Sequence, residues 1–409
     1  MSDPEEKKEA GIFSSQNVLS LYLPALILAL GTGIATPALP VYAKSFEISF
    51  GVASLVIIVH MVGSLLSSLP TGYLIDRIGR RKMILAGPLL TAISSFLIAV
   101  AHSFPELLFY RFLGGWASQM WLIARLAIIA DTGATRQRGR QITGMIGLEG
   151  IGRLLGPAVG GFTAAWDIRI PFLLHGLLCI IAIIPSFKMI RETAPSRSAG
   201  ESAVSAHGGP HPGTSRFSLL VFPIMLLLGV QFLVALTRGV IWGGTLDLYA
   251  VYTYDIGPKM LGILNAINGA IGIPLTFAAG YLMDRFGRKA TIVPGFSLLG
   301  LSFIFMALVA DFHWSFPVFV AAYLCVNFSQ GVTSGSMQTL GSDLAPANAR
   351  GQFFGTWRMV QEVGSVLSPT LFTLISEYQG FTASFLFLCL TAFSVAFLVG
   401  TQVPETLKR

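Results

Sequence analysis

Charge is scarce in this chain. Asp, Glu, Lys and Arg together make up 11% of its 409 residues, against roughly a quarter in soluble globular domains. So little charge cannot cover a water-facing surface, and a 53% hydrophobic content calls for another solvent. Cysteine is sparse as well. Cys179, Cys325 and Cys389 all fall inside apolar runs, an odd set with no partner in a loop, which excludes a disulfide framework and reads as packing. No Gly-x-x-x-x-Gly-Lys-Ser/Thr string occurs, so no built-in ATPase is expected. No nucleophile–base or metal-ligand spacing stands out, so neither an enzyme, a cofactor nor a metal is expected. The segment Met1–Gly11 is acidic and polar, without the basic start of a secretory signal.

What the chain does have is a succession of apolar stretches, each about 20 residues long and thus able to cross a bilayer core. Twelve helices are expected, near 17–43, 51–74, 81–102, 106–130, 142–166, 169–188, 217–246, 258–282, 288–311, 315–342, 352–376 and 381–403. The organisation read from them is a tail at 1–16, a six-helix bundle at 17–190, a linker at 191–216, a second bundle at 217–403 and a tail at 404–409. The linker is rich in Ser, Gly, Pro and His, the composition of a solvated connector. His207 and His211 within it read the same way rather than as metal ligands.

The net charge of +7 reflects topology and not nucleic-acid binding. One set of loops holds Arg77, Arg80, Arg81, Lys82, Arg136, Arg138, Arg140, Arg285, Arg288, Lys289 and Arg350, and the linker adds more; the opposite loops offer Lys44, Arg169 and Lys259. By the positive-inside rule both termini and the linker are expected in the cytoplasm.

The strongest signal is an internal repeat. Gly72-Tyr-Leu-Ile-Asp76-Arg77-Ile-Gly79-Arg80-Arg81-Lys82 returns in the second half as Gly280-Tyr-Leu-Met-Asp284-Arg285-Phe-Gly287-Arg288-Lys289. Further along, Asp131, Arg138-Gly139 and Pro157 return at one common offset as Asp343, Arg350-Gly351 and Pro369. Two parallel six-helix bundles follow, related by an axis along the membrane normal, with a substrate cavity between them. The fold class is all-α: twelve transmembrane helices in two pseudo-symmetric bundles.

The duplicated hairpin resembles the loop signature between helices 2 and 3 of the major facilitator superfamily, and the resemblance covers nearly the whole chain. In that family the motif's arginine bridges its aspartate to an acid at the end of helix 4. The resemblance therefore implies a gating group of Gly72, Asp76, Arg77, Gly79, Arg80 and Asp131, mirrored by Gly280, Asp284, Gly287, Arg288 and Asp343. Such a latch would hold the halves together on the cytoplasmic side. The end of the first helix, Gly31-Thr-Gly33-Ile-Ala-Thr-Pro37-Ala-Leu-Pro40, is similar to that of twelve-helix drug:proton antiporters. Gly152-Arg-Leu-Leu-Gly156-Pro157-Ala-Val-Gly160-Gly161 resembles their fifth-helix signature, with Arg153 as a departure from it. Gly152, Gly156 and Gly160 share a helix face and allow close packing; Pro157 can bend the helix. The stretch Leu107-Leu-Phe-Tyr-Arg111-Phe-Leu-Gly114-Gly115 is similar to the fourth-helix pattern, which implies proton coupling for Arg111; Gly114 stands where that pattern has glutamine.

Embedded charge points to mechanism independently of the resemblance. Arg111, Arg125, Arg153, Arg238 and Arg358 fall within expected spans, and Glu149 and Glu362 are the acids read as lying well inside them. Each such charge is costly in a bilayer and should face protein or water. Glu149 with Arg153, and Arg358 with Glu362, are four apart and can form intrahelical pairs. Glu149 and Glu362 are the candidate proton carriers, and Arg125 and Arg238 are expected at a gate or interface. Arg153, Arg358, His60, Asn265, Asn268, Asn327 and Gln330 are candidate substrate ligands; His60 reads equally as packing and the amides as helix ties. Trp116, Trp121, Trp242 and Trp357 suit either a cavity wall or the lipid interface.

The function expected is secondary active transport by alternating access: proton-coupled export of a small organic compound by a monomer in a lipid bilayer, without nucleic acid. Transport of an organic anion or carboxylate is the alternative. A transporter-like ligand sensor is the reading from another class.

Overall fold

The computed structural model describes residues 21–132, 138–189, 222–346 and 350–406, so the linker, with His207 and His211, lies outside the described residues. Among them there is helix and no strand. That is the outcome expected where no water is present to satisfy an open backbone. In the first half run α1 (Leu23–Ala35), α2 (Ala38–Lys44), α3 (Phe50–Ile78), α4 (Arg80–Ala99), α5 (Phe104–Thr132), α6 (Arg138–Ala164) and α7 (Ile170–Met189). The second half holds α8 (Phe222–Trp242), α9 (Thr245–Tyr254), α10 (Pro258–Phe286), α11 (Lys289–Asp311), α12 (Phe316–Val332), α13 (Ser336–Leu344) and α14 (Arg350–Thr401).

These helices make twelve spans. α1 and α2 form one, interrupted before Pro37, which lacks the amide needed to continue the hydrogen-bond ladder. α8 and α9 form the seventh, broken at Gly244 with φ +83°. α12 and α13 form the tenth, broken at Gly335 with φ +74°. α14 is two spans joined at Gly380, φ +86°. Glycine is what lets the chain take these left-handed values without strain. The two hairpins close on matching turns, Gly79 at φ +103° and Gly287 at φ +105°. The repeat is therefore one of backbone shape as well as of sequence.

The end of the molecule carrying these two turns is the hairpin face, and the opposite end the far face. Inside the first half, α6 lies directly on α1. A Cβ on Gly156 would come within 2.7 Å of Gly33 Cα, and one on Gly160 within 2.0 Å of the Ile34 carbonyl oxygen. Across the halves α6 packs on α10, where a Cβ on Gly161 would meet the Pro258 carbonyl oxygen at 2.6 Å. The same α6 thus seats the first half and joins it to the second.

At the far face the halves are clamped. Lys44 Nζ lies 2.6 Å from Asp255 Oδ1 and donates to the Val251 carbonyl at 2.9 Å. Tyr252 donates to the Ile48 carbonyl at 2.9 Å. Phe50 meets Tyr252, Phe372 and Phe381 edge to face. Among the described residues, the hydrogen bonds, ion pairs and ring contacts between the halves all belong to this end. Of the cysteines, Cys179 and Cys389 are buried but Cys325 is exposed, so Cys325 is not a packing residue within the chain.

Candidate functional site

A cavity of about 500 Å³ opens between the halves beneath the far-face clamp. The breaks in the first and seventh spans sit on its wall, at Thr36 and at Gly243–Gly244. A broken helix is tolerated in a membrane protein only where its backbone lines a cavity or is buried in protein.

The wall from the first half is basic. Arg111 Nε on α5 donates to the Val56 carbonyl at 3.2 Å, and the Arg111 carbonyl lies 3.2 Å from His60 Nδ1 on α3. His175 on α7 joins Ser95 of α4 through Nδ1 at 2.9 Å. Arg153 on α6 also lines the cavity, and its side chain is 60% exposed. The opposite wall supplies Asp247 of α9, whose carboxylate accepts from Tyr323 Oη at 2.6 Å and from Asn265 Nδ2 at 3.0 Å. Trp242 lines the same side.

Several sequence expectations change at this point. Glu149 is not simply the i+4 partner of Arg153: its Oε1 is engaged by Arg125 Nη1 from α5, and its Oε2 is 3.5 Å from Arg153. The nearer guanidinium belongs to another helix, which sequence spacing cannot show. Arg358 and Glu362 do pair, at 3.5 Å on α14, but neither lies on the cavity wall. Asn268, Asn327 and Gln330 are also off that wall; Asn327 Nδ2 turns back to the Tyr323 carbonyl at 2.9 Å, one turn earlier on its own helix. Of the seven candidate ligands, Arg153, His60 and Asn265 reach the cavity. Arg238 is no contact between halves: it is buried within the second half, donates to the Thr333 carbonyl at 2.7 Å and lies over the Phe296 ring. Among the tryptophans, Trp121 and Trp357 are buried in the protein.

Asp247 and His175 escaped the sequence reading. Asp247 fell just past the expected end of the seventh helix, whereas α9 runs on to Tyr254. The Gly243-Gly244 pair was the available signal, since a break inside a span marks a cavity.

At the hairpin face, Arg288 Nη1 lies 2.9 Å from Asp284 Oδ1 and its Nε 3.1 Å from Asp343 Oδ2. Glu405 accepts from the backbone amides of Arg288 and Lys289, both at 3.0 Å, and Thr406 Oγ1 donates to Asp343 at 2.8 Å. In the other copy Arg80 Nη1 is 3.4 Å from Asp76, while the side chain of Asp131 lies outside the described residues. Arg288 thus bridges Asp284 and Asp343, the cluster that the resemblance implies for this copy, and both contacts lie within the second half. The cluster ties the eighth, ninth and tenth spans to the chain end, because Asp343 is carried by the half that carries Arg288.

The model of the family described as "Major Facilitator Superfamily" matches residues 21–369 and 227–408. The chain belongs to that superfamily. Membership makes it an integral membrane transporter and not an enzyme. Among relatives, the "Quinolone resistance protein NorA" of Staphylococcus aureus (strain MRSA252) is 27% identical over 316 residues, 75% of this chain and 78% of that one. The "Tetracycline resistance protein, class B" of Escherichia coli is 23% identical over 358 residues, 87% of each. A solved D-xylose-proton symporter superposes with a TM-score of 0.75 at 18% identity, over 97% of this chain and 98% of that one. The superfamily fold extends through the whole described chain.

Proposed function

We propose that this transporter exports a small organic compound in exchange for protons by alternating access, with the hairpin face in the cytoplasm. The observation that carries the reading is the cavity between the halves, closed over at the far face by the clamp. That is the arrangement of a carrier caught open or opening toward the other side. The basic hairpins support the orientation, and the similarity to quinolone and tetracycline resistance proteins supports export of drug-like compounds. Glu362 and Glu149 remain the acids proposed to carry the proton. Glu149 is held by two guanidiniums and Glu362 by one, so Glu362 is the freer of the two. Arg111, on the cavity wall, would keep the proton path from admitting other cations.

The test uses proteoliposomes with the protein in a mixed orientation and a pH gradient, acid inside. A quinolone and tetracycline should each accumulate inside, and a protonophore should abolish the accumulation. Glu362→Gln should lose gradient-driven uptake and keep exchange of labelled for unlabelled compound. Uptake indifferent to the gradient would remove proton coupling.

A further inference from the structure

The cavity contains charges of both signs that do not meet. On the first-half wall, Arg111 donates to a backbone carbonyl. Arg153 has only the far oxygen of Glu149, at 3.5 Å, and the other oxygen of that glutamate is taken by Arg125. On the second-half wall, Asp247 is 5% exposed and holds two neutral donors, Tyr323 and Asn265. Among the described residues no basic side chain forms an ion pair with Asp247.

A charge withdrawn from water without a counter-charge is expensive. A lone arginine would be matched by an anion, and a lone aspartate by a cation or a proton. One cavity holding both is matched most completely by a guest that carries both. The packing of α6 on α10 places the two charges at similar depth. A Cβ on Gly262 would meet the Pro157 carbonyl, and one on Gly269 would meet Leu154 Cα. Asn265, which holds Asp247, lies between those two levels, within about 5 Å, roughly one turn, of the level of Arg153. A single small molecule can therefore touch both walls.

We propose that the cavity takes an amphoteric organic compound, its carboxylate on Arg153 and its ammonium on Asp247. The planar fork of arginine suits a carboxylate. Trp242, 54% exposed on the wall beside Asp247, offers a ring face to the apolar body between the charges. The carboxylate is held by one half and the ammonium by the other, so a guest with both groups draws the halves together, whereas a singly charged guest leaves one wall unmatched. This deepens the export reading and rests on it only for the statement that the bound compound is the cargo.

The experiment measures equilibrium binding to the full-length detergent-purified protein of 4-(aminomethyl)benzoic acid, its methyl ester, its N-acetyl derivative and the doubly blocked compound. In the wild type the parent should bind at least about tenfold more tightly than either singly blocked analogue, the least expected for one lost charge-assisted hydrogen bond. Arg153→Gln should abolish the advantage of the parent over its ester, and Asp247→Asn its advantage over the N-acetyl derivative. Equal binding of parent and ester in the wild type, binding of none of the four, or the same rank order in both variants would overturn the proposal. Should a variant not be recovered folded, the wild-type ranking alone still decides. Failure of proton-driven accumulation with the parent preference intact would remove the export reading and leave the site.

Discussion

Two glutamates with matching sequence neighbourhoods end in different electrostatic positions. Glu149 and Glu362 each stand four residues from an arginine on their own helix, and each lies 3.5 Å from it. Only Glu149 also meets Arg125, whose side chain is 10% exposed, against 50% for Arg358. Removing one member of a buried pair strands the other and costs about 3–5 kcal/mol, whereas an exposed pair contributes about 0–1 kcal/mol. Glu149→Gln should accordingly lower the thermal unfolding midpoint of the purified protein strongly, and Glu362→Gln barely. Equal midpoints for the two variants would contradict the placement of Arg125. Spacing exposed the two intrahelical pairs because residues four apart share a helix face. It did not expose Arg125, which reaches Glu149 only through the packing of α5 near α6.

The glycines of α6 show how an element is positioned. Every methyl added along its α1-facing edge meets backbone: the Leu30 amide nitrogen at 2.7 Å from Gly152, and the Ile34 carbonyl oxygen at 2.0 Å from Gly160. Backbone cannot swing away as a side-chain tip can, so Gly160→Ala must push α6 off α1 and with it the junction to α10. A loss of about 1–3 kcal/mol is expected, measured as a lower midpoint in detergent. Gly72→Ala is the control at the same substitution: a Cβ there meets nothing within 4 Å, and the midpoint should stay within about 0.5 kcal/mol of wild type. An unchanged midpoint for Gly160→Ala would mean that the two helices can separate freely. The sharp requirement for glycine at the hairpins lies instead at Gly79 and Gly287, whose φ values of +103° and +105° exclude ordinary side chains.

For the whole molecule, the decisive feature is that the two halves are clamped at the far face. Lys44 hydrogen-bonds Asp255 and opposes its charge, and this holds the Asp255 carboxyl below the ordinary carboxylate range. The sign follows from linkage. A carboxyl whose acidity is strengthened in the clamped state favours that state fully above its ordinary pKa of about 3.9. The contribution is lost as pH falls through the lowered value. The clamp should therefore be indifferent to pH between about 5 and 8 and loosen only in more acid solution. Asp255→Asn should raise accessibility of a cysteine-reactive probe at Ile57→Cys, on the cavity wall below the clamp, by less than about tenfold, because an exposed pair is screened by water. Labelling that is unchanged in Asp255→Asn, or that varies steeply between pH 6 and 8 in the Ile57→Cys protein, would show that other contacts set the clamp.

Composition and the length of the apolar runs dictate the solvent and the helices, and the duplicated motifs the repeat. A bilayer forces each span to be long, apolar and internally hydrogen-bonded, so spans can be read one at a time, and the duplicated hairpins exposed the two bundles. Which charge meets which was decided by the tertiary structure. Periodicity assigns residues to a face of their own helix, but the rotation of that helix against its neighbours comes from packing. That is why Arg125 takes Glu149, why Arg288 binds within one half, and why Asp247, past the expected end of its span, is buried between Tyr323 and Asn265. The cavity has the same origin: its walls come from both halves, and only their packing brings an arginine of one wall within a turn's depth of an aspartate on the other.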